Sequence, residues 1–209
     1  MRPSRHNSPS GKRGRSPRGD AAQPIGVRII GGRFRGRKLE YSGELRTRPM
    51  KDRVREALFN RLGPSLKEKT AIDLFAGTGA LALEAISRGS KRAILVEQHV
   101  PTARAIRRNA ATLDIENLVE VVAADTFLWH RRGPSLGGDP WLVFCSPPYD
   151  FYVDRADEML GLVRGLIAAA PTGSVFVVES DARFDFGQLP RSADWEVRAY
   201  PPAVVGILW

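Results

Sequence analysis

Residues 143–152 read VFCSPPYDFY. An apolar run that suits a buried strand stops at Ser146, and Pro147, Pro148 and Tyr149 follow. Proline fixes φ and donates no backbone hydrogen bond. The corner is therefore rigid and offers two acceptors, the Ser146 hydroxyl and the Pro147 carbonyl. Such a pair suits a primary amine conjugated to a nucleobase ring. The amine's lone pair is delocalised into the ring, and accepting hydrogen bonds from both N–H groups lets the nitrogen pyramidalise and attack. The Tyr149 ring can stack on the face of a base taken out of its helix. Proximity and placed dipoles supply most of the rate of such a transfer, and no strong base is required because the alkylated amine turns acidic.

The electrophile has to arrive from a neighbouring site, and DLFAGTGALALEA (73–85) provides a candidate. A glycine-rich turn between a strand and a helix lets a ligand approach the backbone at Gly77 and Gly79, and a helix start offers unpaired N–H groups. GTGALA also fits the G-x-G-x-x-A of dinucleotide enzymes. Glu97 lies 20 residues after Gly77, where a carboxylate can hold ribose hydroxyls. Enzymes using NAD and enzymes using S-adenosylmethionine share both features, so these do not separate the two. Two acids favour the second. Asp73 stands just before the turn, where a pyrophosphate would meet like charge but an ammonium-bearing sulfonium cofactor finds a partner. Asp125, in AADTF, is placed to accept from an adenine amino group; its plainer reading is a helix cap. Acids ending three successive strands describe a cleft along one sheet edge.

Positioning these groups takes alternating strands and helices. Strands are expected over 70–75, 92–98, 119–125, 141–146 and 173–180, with helices over 80–89, 101–113 and around 153–169. Two last strands, 195–200 and 203–209, are joined through Pro201-Pro202, a link too short for a parallel crossover, so they should pair antiparallel. The alternation implies an α/β, doubly wound, mostly parallel sheet. Upstream, VRIIGGRFRGRKLEY (27–41) reads as two strands about Gly31-Gly32, with Arg33, Arg35 and Arg37 on one strand face by period two. Residues 45–64 read as a helix, with Thr47 or Arg48 near its cap, Pro49 in its first turn and Gly63-Pro64 at its end. Residues 1–24 hold almost nothing apolar and are expected to be a disordered basic tail. The remainder, 25–209, is expected to be one domain: a basic hairpin and helix over 25–64, then a catalytic core over 65–209.

The charge distribution points to a class of partner. Of a formal +9 over 209 residues, 1–24 carry +5 and 25–55 carry +7, leaving −3 for the rest. Ten Lys/Arg within 31 residues suit nucleic acid, with Arg33, Arg35, Arg37, Lys38, Arg46, Arg48 and Arg53 as candidate contacts. The single cysteine, Cys145, excludes a disulfide framework within the chain. His6, His99 and His130 are scattered without metal-ligand spacing, so no metal is expected. There is no run of 18 apolar residues and no apolar stretch at the N-terminus, so neither a membrane span nor a secretory signal is expected, and a cytoplasmic monomer is.

RIIGGRFRGRKL (28–39), TRPMKDRVREALFNRL (47–62), DLFAGTGALALEAISRG (73–89) and SPPY together resemble the bacterial RsmD family of 16S ribosomal RNA guanine-N2 methyltransferases. That family lies within the seven-stranded, Rossmann-like methyltransferases bearing an [Asp/Asn/Ser]-Pro-Pro-aromatic motif. The resemblance runs from about residue 27 to the C-terminus. It implies a seven-stranded sheet with an antiparallel last strand, S-adenosyl-L-methionine as cofactor, and small-subunit ribosomal RNA or its assembly intermediate as partner. It further implies that Asp73, Phe75, Gly77 and Gly79 line the methionine and ribose part of the cofactor, Glu97 the ribose hydroxyls and Asp125 the adenine. Ser146, Pro147, Pro148 and Tyr149 would hold the guanine amine, and the hairpin with Thr47–Arg53 would face RNA. One position departs, since the family usually has Asp where this chain has Ser146. Charge-assisted hydrogen bonds are about twice as strong as neutral ones, so losing ~1 kcal/mol would slow the transfer several-fold; Asp150, next to Tyr149, reads either as a compensator or equally as a solvent-facing loop carboxylate. Three other readings stand beside this one. A DNA adenine-N6 or cytosine-N4 methyltransferase finds no room for a target-recognition domain in 209 residues. A catalytically silent RNA-binding protein of the same fold is kept open by Ser146. An NAD oxidoreductase lacks an evident hydride site.

Overall fold

Seven strands form one sheet in the computed structural model, which describes residues 26–41 and 49–209. In chain order the elements are α1 (Asp52–Leu62), β1 (Thr70–Asp73), α2 (Ala80–Ser87), β2 (Arg92–Val96), α3 (Val100–Thr112), β3 (Val119–Val122), α4 (Thr126–Arg131), β4 (Trp141–Cys145), α5 (Phe151–Asp154), α6 (Ala156–Ala169), β5 (Val175–Asp181), β6 (Glu196–Tyr200) and β7 (Ala203–Leu208). The strand order is β3-β2-β1-β4-β5-β7-β6, parallel from β3 to β5, with β7 antiparallel to both of its neighbours. This is the α/β, doubly wound, mostly parallel sheet expected from the alternation, in the seven-stranded Rossmann-like form that the resemblance implied.

Successive strand side chains point to opposite faces, and on the inner strands β1, β4 and β5 both faces are buried. Ala71, Leu142, Phe144 and Val177 pack with residues of α1, α2 and α3, while Ile72, Val143, Cys145 and Val178 pack with α4 and α6. Strands buried on both faces read as continuous apolar runs rather than alternating ones, which is why WLVFC and VFVV looked uniform. From β1 the chain steps outward to β2 and β3, then returns to β4 on the other side of β1. The switch point lies between β1 and β4, where ligands bind beyond the carboxyl ends of strands. Asp73 pairs with Phe144 in that register, two residues before Ser146.

The N-terminal segment differs from its expectation. Between residues 27 and 39 the only ladder is an Arg28–Lys38 bridge, flanked by Ile29 N–H donating to the Arg37 carbonyl at 2.9 Å and Leu39 N–H to the Val27 carbonyl at 2.8 Å. Gly32–Phe34 is a 3-10 turn. A demand from α2 overrides the strand pattern. The Glu84 side chain, 0% exposed, accepts from Ile30 N–H at 2.6 Å and Gly31 N–H at 2.7 Å. Ser87 Oγ accepts from Phe34 N–H at 2.9 Å and donates to the Gly31 carbonyl at 2.6 Å. Gly32 has φ +72°, and a Cβ there would lie 2.0 Å from the Ser87 carbonyl oxygen. Arg33, Arg35 and Arg37 therefore do not share a strand face. The Arg33 guanidinium stacks 4.5 Å over the Phe34 ring, and the Arg37 guanidinium donates to the Thr112 carbonyl at 2.8 Å.

Other boundaries move for local reasons. The helix expected over 45–64 is α1, beginning at Asp52 with Pro49 ahead of it. Residues 42–48 lie outside the described residues, and with them Arg46, Arg48 and the expected cap at Thr47 or Arg48; so does the tail, 1–24. The third strand stops at Val122, because Asp125 caps α4 by accepting from Leu128 N–H at 2.9 Å. Thr126 Oγ1 anchors the same start by donating to the Leu74 carbonyl. The helix expected around 153–169 is broken at Arg155 into α5 and α6.

Candidate active site

Asp73 is the last residue of β1. Its side chain is in a residue only 1% exposed, and neither carboxylate oxygen has a hydrogen-bond partner. Burial pushes its pKa up to about 7; the backbone N–H groups of Ala82 and Phe75 favour the charge without closing bonds, and the charges of Glu97 and Glu179 oppose it. An unpaired acid in a dry site is unfavourable, and a bound cation would relieve it.

The glycine turn follows. Gly77 and Gly79 both have positive φ, +50° and +75°, which lets the chain fold sharply into α2. A Cβ on Gly79 would press at 3.2 Å on Ile106 and Leu95, so the turn is close-packed beneath. Glu97, one residue past β2, ties this turn down. Its Oε2 accepts from Gly77 N–H at 2.8 Å and its Oε1 from His99 N–H at 2.8 Å. Each carboxylate oxygen keeps a second lone pair. Phe75, half-buried, meets Phe127 and Phe151 edge-on at 5.9 and 6.0 Å between centroids. Arg155 stacks 4.0 Å over Phe127 and approaches Asp125 Oδ2 to 3.9 Å.

On the other side of the switch point stands the proline corner. Ser146 Oγ donates to Glu179 Oε2 at 2.6 Å, and Tyr149 Oη donates to Glu179 Oε1 at 2.8 Å. Pro147 is buried, Pro148 exposed and Tyr149 half-buried. Glu179 sits on β5 and is only 7% exposed. Burial raises its pKa, against the hydrogen bonds from Ser146 and Tyr149. Sequence reasoning passed over this residue; the available signal was an acid inside a central apolar strand, where acids are almost never buried without partners. Of the two readings of Asp150, compensator for Ser146 or solvent-facing loop carboxylate, the structure has the second. The Asp150 side chain is 72% exposed and pairs with Arg183 at 2.9 Å, so the carboxylate beside Ser146 is Glu179. Beneath the corner, burial pushes the Cys145 thiol up to about 12, its sulfur lying 3.9 Å from Tyr152 Oη.

The carboxyl edge thus brings together Asp73, Phe75, Gly77, Gly79 and Glu97 beside Ser146, Pro147 and Tyr149, with Asp125 further along. It offers an unpaired buried acid for a cation, carboxylate lone pairs at a glycine turn, an aromatic wall and an acceptor corner. Among the described residues no group of three or more His, Cys, Asp or Glu is arranged to hold a metal ion, and no helix is long and apolar enough to cross a membrane. Of the expected nucleic-acid contacts, Arg33, Arg35, Arg37, Lys38 and Arg53 are exposed. An open depression of about 480 Å³, bounded by Gly32, Asn60, Lys67 and Arg88, lies beside the 3-10 turn and not at the carboxyl edge.

The family described as conserved hypothetical protein 95 matches residues 27–195. Ribosomal RNA small subunit methyltransferase D of Escherichia coli (strain K12) is 41% identical over 124 residues, covering 59% of this chain and 60% of that protein. The protein of the same name from Haemophilus influenzae is 36% identical over 137 residues, covering 66% of this chain and 70% of that protein. The solved structure of yhhF from Escherichia coli superposes with a TM-score of 0.69 at 30% identity, over 87% of this chain and 96% of that chain.

Proposed function

This chain belongs to the RsmD family, the one described as conserved hypothetical protein 95, and from that premise we propose that it methylates the exocyclic N2 amine of a guanine in small-subunit (16S) ribosomal RNA, with S-adenosyl-L-methionine as methyl donor. The observation that carries the reading is the meeting, across β1 and β4, of an unpartnered buried carboxylate with a rigid acceptor corner. The residues present fit the cofactor. Asp73, without a hydrogen bond, suits the ammonium group; the remaining lone pairs of Glu97 suit ribose hydroxyls; Asp125 Oδ2, not used in the helix cap, suits the adenine amine; Phe75 supplies an apolar wall. When bound, the cofactor supplies an electrophilic methyl group.

The chain's own residues do the rest. Ser146 Oγ and the Pro147 carbonyl accept from the two N–H groups of the amine. The Tyr149 ring, anchored at its hydroxyl by Glu179, stacks on the extruded base. Arg33, Arg35, Lys38 and Arg53 meet RNA phosphates, while Arg37, engaged with the Thr112 carbonyl, braces the loop. For Arg46 and Arg48 the same role rests on sequence alone. Residues 25–64 and 65–209 act as one domain in this reading, with the tail, 1–24, outside it.

The test is to add the purified protein and labelled cofactor to 16S ribosomal RNA and to small subunits from cells lacking it, then map the label. Label on a guanine N2 supports the assignment. Label on duplex DNA alone, or binding of cofactor and RNA with no transfer, refutes it.

A further inference from the structure

We propose that Glu179 is a positioning residue for this transfer: it holds the Ser146 hydroxyl by its proton, so that Oγ faces the target amine only as an acceptor, and it takes over that proton when the methylated amine gives one up. The inference deepens the proposed methyltransferase reading and rests on it.

A hydroxyl both donates and accepts, and its hydrogen rotates to suit. Left to itself, Ser146 could turn its hydrogen toward the amine nitrogen, whose lone pair is the nucleophile. An ionised carboxylate accepts only, so the two hydroxyls that reach Glu179 must both donate to it. The Ser146 Oγ to Oε2 distance, 2.6 Å, is that of a charge-assisted O–H···O⁻ bond. The Tyr149 bond at 2.8 Å occupies the other oxygen and fixes the stacking ring to the same anchor. Glu179 therefore stands directly behind the Ser146 hydroxyl, and its negative charge reaches the acceptor corner through that serine. A buried acid between Val178 and Ser180, themselves 1% and 0% exposed, is otherwise an unfavourable choice for a central strand.

The proton balance closes. As the N–C bond forms, the methyl group's bond to the donor's sulfur would break, the sulfur keeping the electron pair as a neutral thioether, and the nitrogen becomes cationic and carries two hydrogens. One passes to Ser146 Oγ as the serine's own proton passes to Glu179 Oε2, leaving a neutral amine, an intact serine and a neutral carboxylic acid that later loses its proton to solvent. Burial, which raises the pKa of Glu179, favours the neutral acid in this step. The titratable groups bearing on Glu179 are Tyr149 on the proline corner, Asp73 on β1 and Tyr152 of α5, with Cys145 at the end of β4 reaching it through Tyr152.

The experiment compares wild type, Glu179→Gln, Ser146→Ala and the double variant, all as full-length protein. Glu179→Gln is expected to lower the single-turnover rate on the order of 10- to 100-fold, with the RNA KM and the cofactor Kd changed by less than about twofold. In the Ser146→Ala background the same change is expected to add less than about twofold, because the path is already cut. Equal losses in both backgrounds, or a KM effect with unchanged rate, would overturn the proposal. A second readout needs no activity and no glutamine variant. With ¹³C-labelled glutamate, the Glu179 carboxyl titration should move to higher pH in Ser146→Ala, which loses a donor to the charged form. An unmoved midpoint overturns the proposal even if every variant folds. Should wild type methylate no RNA, the proposed function falls and the proton step with it, while the titration still decides whether the carboxylate holds the hydroxyl.

Discussion

Asp73→Asn should make the cofactor-free protein less sensitive to rising pH and, on the proposed function, weaken binding of the cofactor. Asp73 is buried without a hydrogen bond, and its pKa stands at about 7 against an ordinary 3.8. The gap of about 3 units, at ~1.4 kcal/mol per unit, amounts to ~4 kcal/mol. Its sign follows from proton counting. Below pH 4 the group is protonated in both folded and unfolded chains and contributes no penalty. Between about 4 and 7 the folded chain holds a proton that the unfolded chain has released, so stability falls as pH rises; above 7 the full loss is reached. Asparagine stays neutral and has no such slope. Urea unfolding of both proteins without cofactor, from pH 5 to pH 8, should show the wild type losing roughly 2–3 kcal/mol relative to the variant, most of it by pH 7 and levelling off by pH 8. Taking the difference in slope removes the constant offset set by the new amide's own contacts. If Asp73 holds the cofactor's ammonium as proposed, the proton competes with it in the wild type, and the cofactor Kd should rise toward tenfold per pH unit below 7. A difference that stays flat across the range would refute a dry, unpartnered Asp73, and with it the site's fit to a cationic ligand.

Gly79→Ala should lower Tm by several degrees, because φ +75° and 3.2 Å contacts to Ile106 and Leu95 together make an added methyl unfavourable by about 1–2 kcal/mol; an unchanged melt would contradict the packing. Glu84→Ala leaves the Ile30 and Gly31 N–H groups without their acceptor and should cost about 2–4 kcal/mol in denaturant titrations, with amide exchange fastest over 29–36; uniform exchange would contradict a local strap. Arg35→Ala should reduce RNA affinity and lower the salt slope by about 1. Arg37→Ala should act chiefly on stability through its lost bond to Thr112, and a reversal of the two would overturn the assignment of brace and contact.

The sheet was legible because its signals are local. A strand, a turn with Gly77 and Gly79, and a helix follow each other without a gap, and Glu97 arrives 20 residues later at the next strand end. The corner at Ser146 was legible because two prolines admit few backbone paths. What escaped depends on partners far along the chain. Glu179 reads as an interruption in VFVVES, and its purpose appears only when β5 lies beside β4 and brings it to Ser146, 33 residues earlier. Glu84 reads as the polar side of a short helix, yet it is fully buried under a loop 53 and 54 residues away. That same contact defeats the period-two placement of the arginines. Alternation predicts a strand face only where a ladder holds the strand, and here the backbone N–H groups of Ile30 and Gly31 are taken by a carboxylate instead. The helix α4 was missed because six residues show too little periodicity, and Asp125 pulls the chain out of β3 to cap it.

One short helix joins the two halves of the proposed reaction. The start of α2 is the glycine turn at which the cofactor would lie, and Glu84 and Ser87 on its last turns hold the basic loop. Eight residues at 1.5 Å rise span about 12 Å, so loop and turn ride on a rigid body little longer than two helical turns. A phosphate gripped by Arg33 or Arg35 is thereby referenced to the glycine turn without passing through any mobile segment. The binding energy of remote RNA contacts can then be expressed as orientation at the amine, which is how distant contacts raise a chemical rate rather than affinity alone. The buried Glu84 carboxylate is what makes this mechanical link. Loosening it should therefore reduce the methylation rate at saturating RNA as well as stability, whereas removing an exposed arginine should act on affinity first.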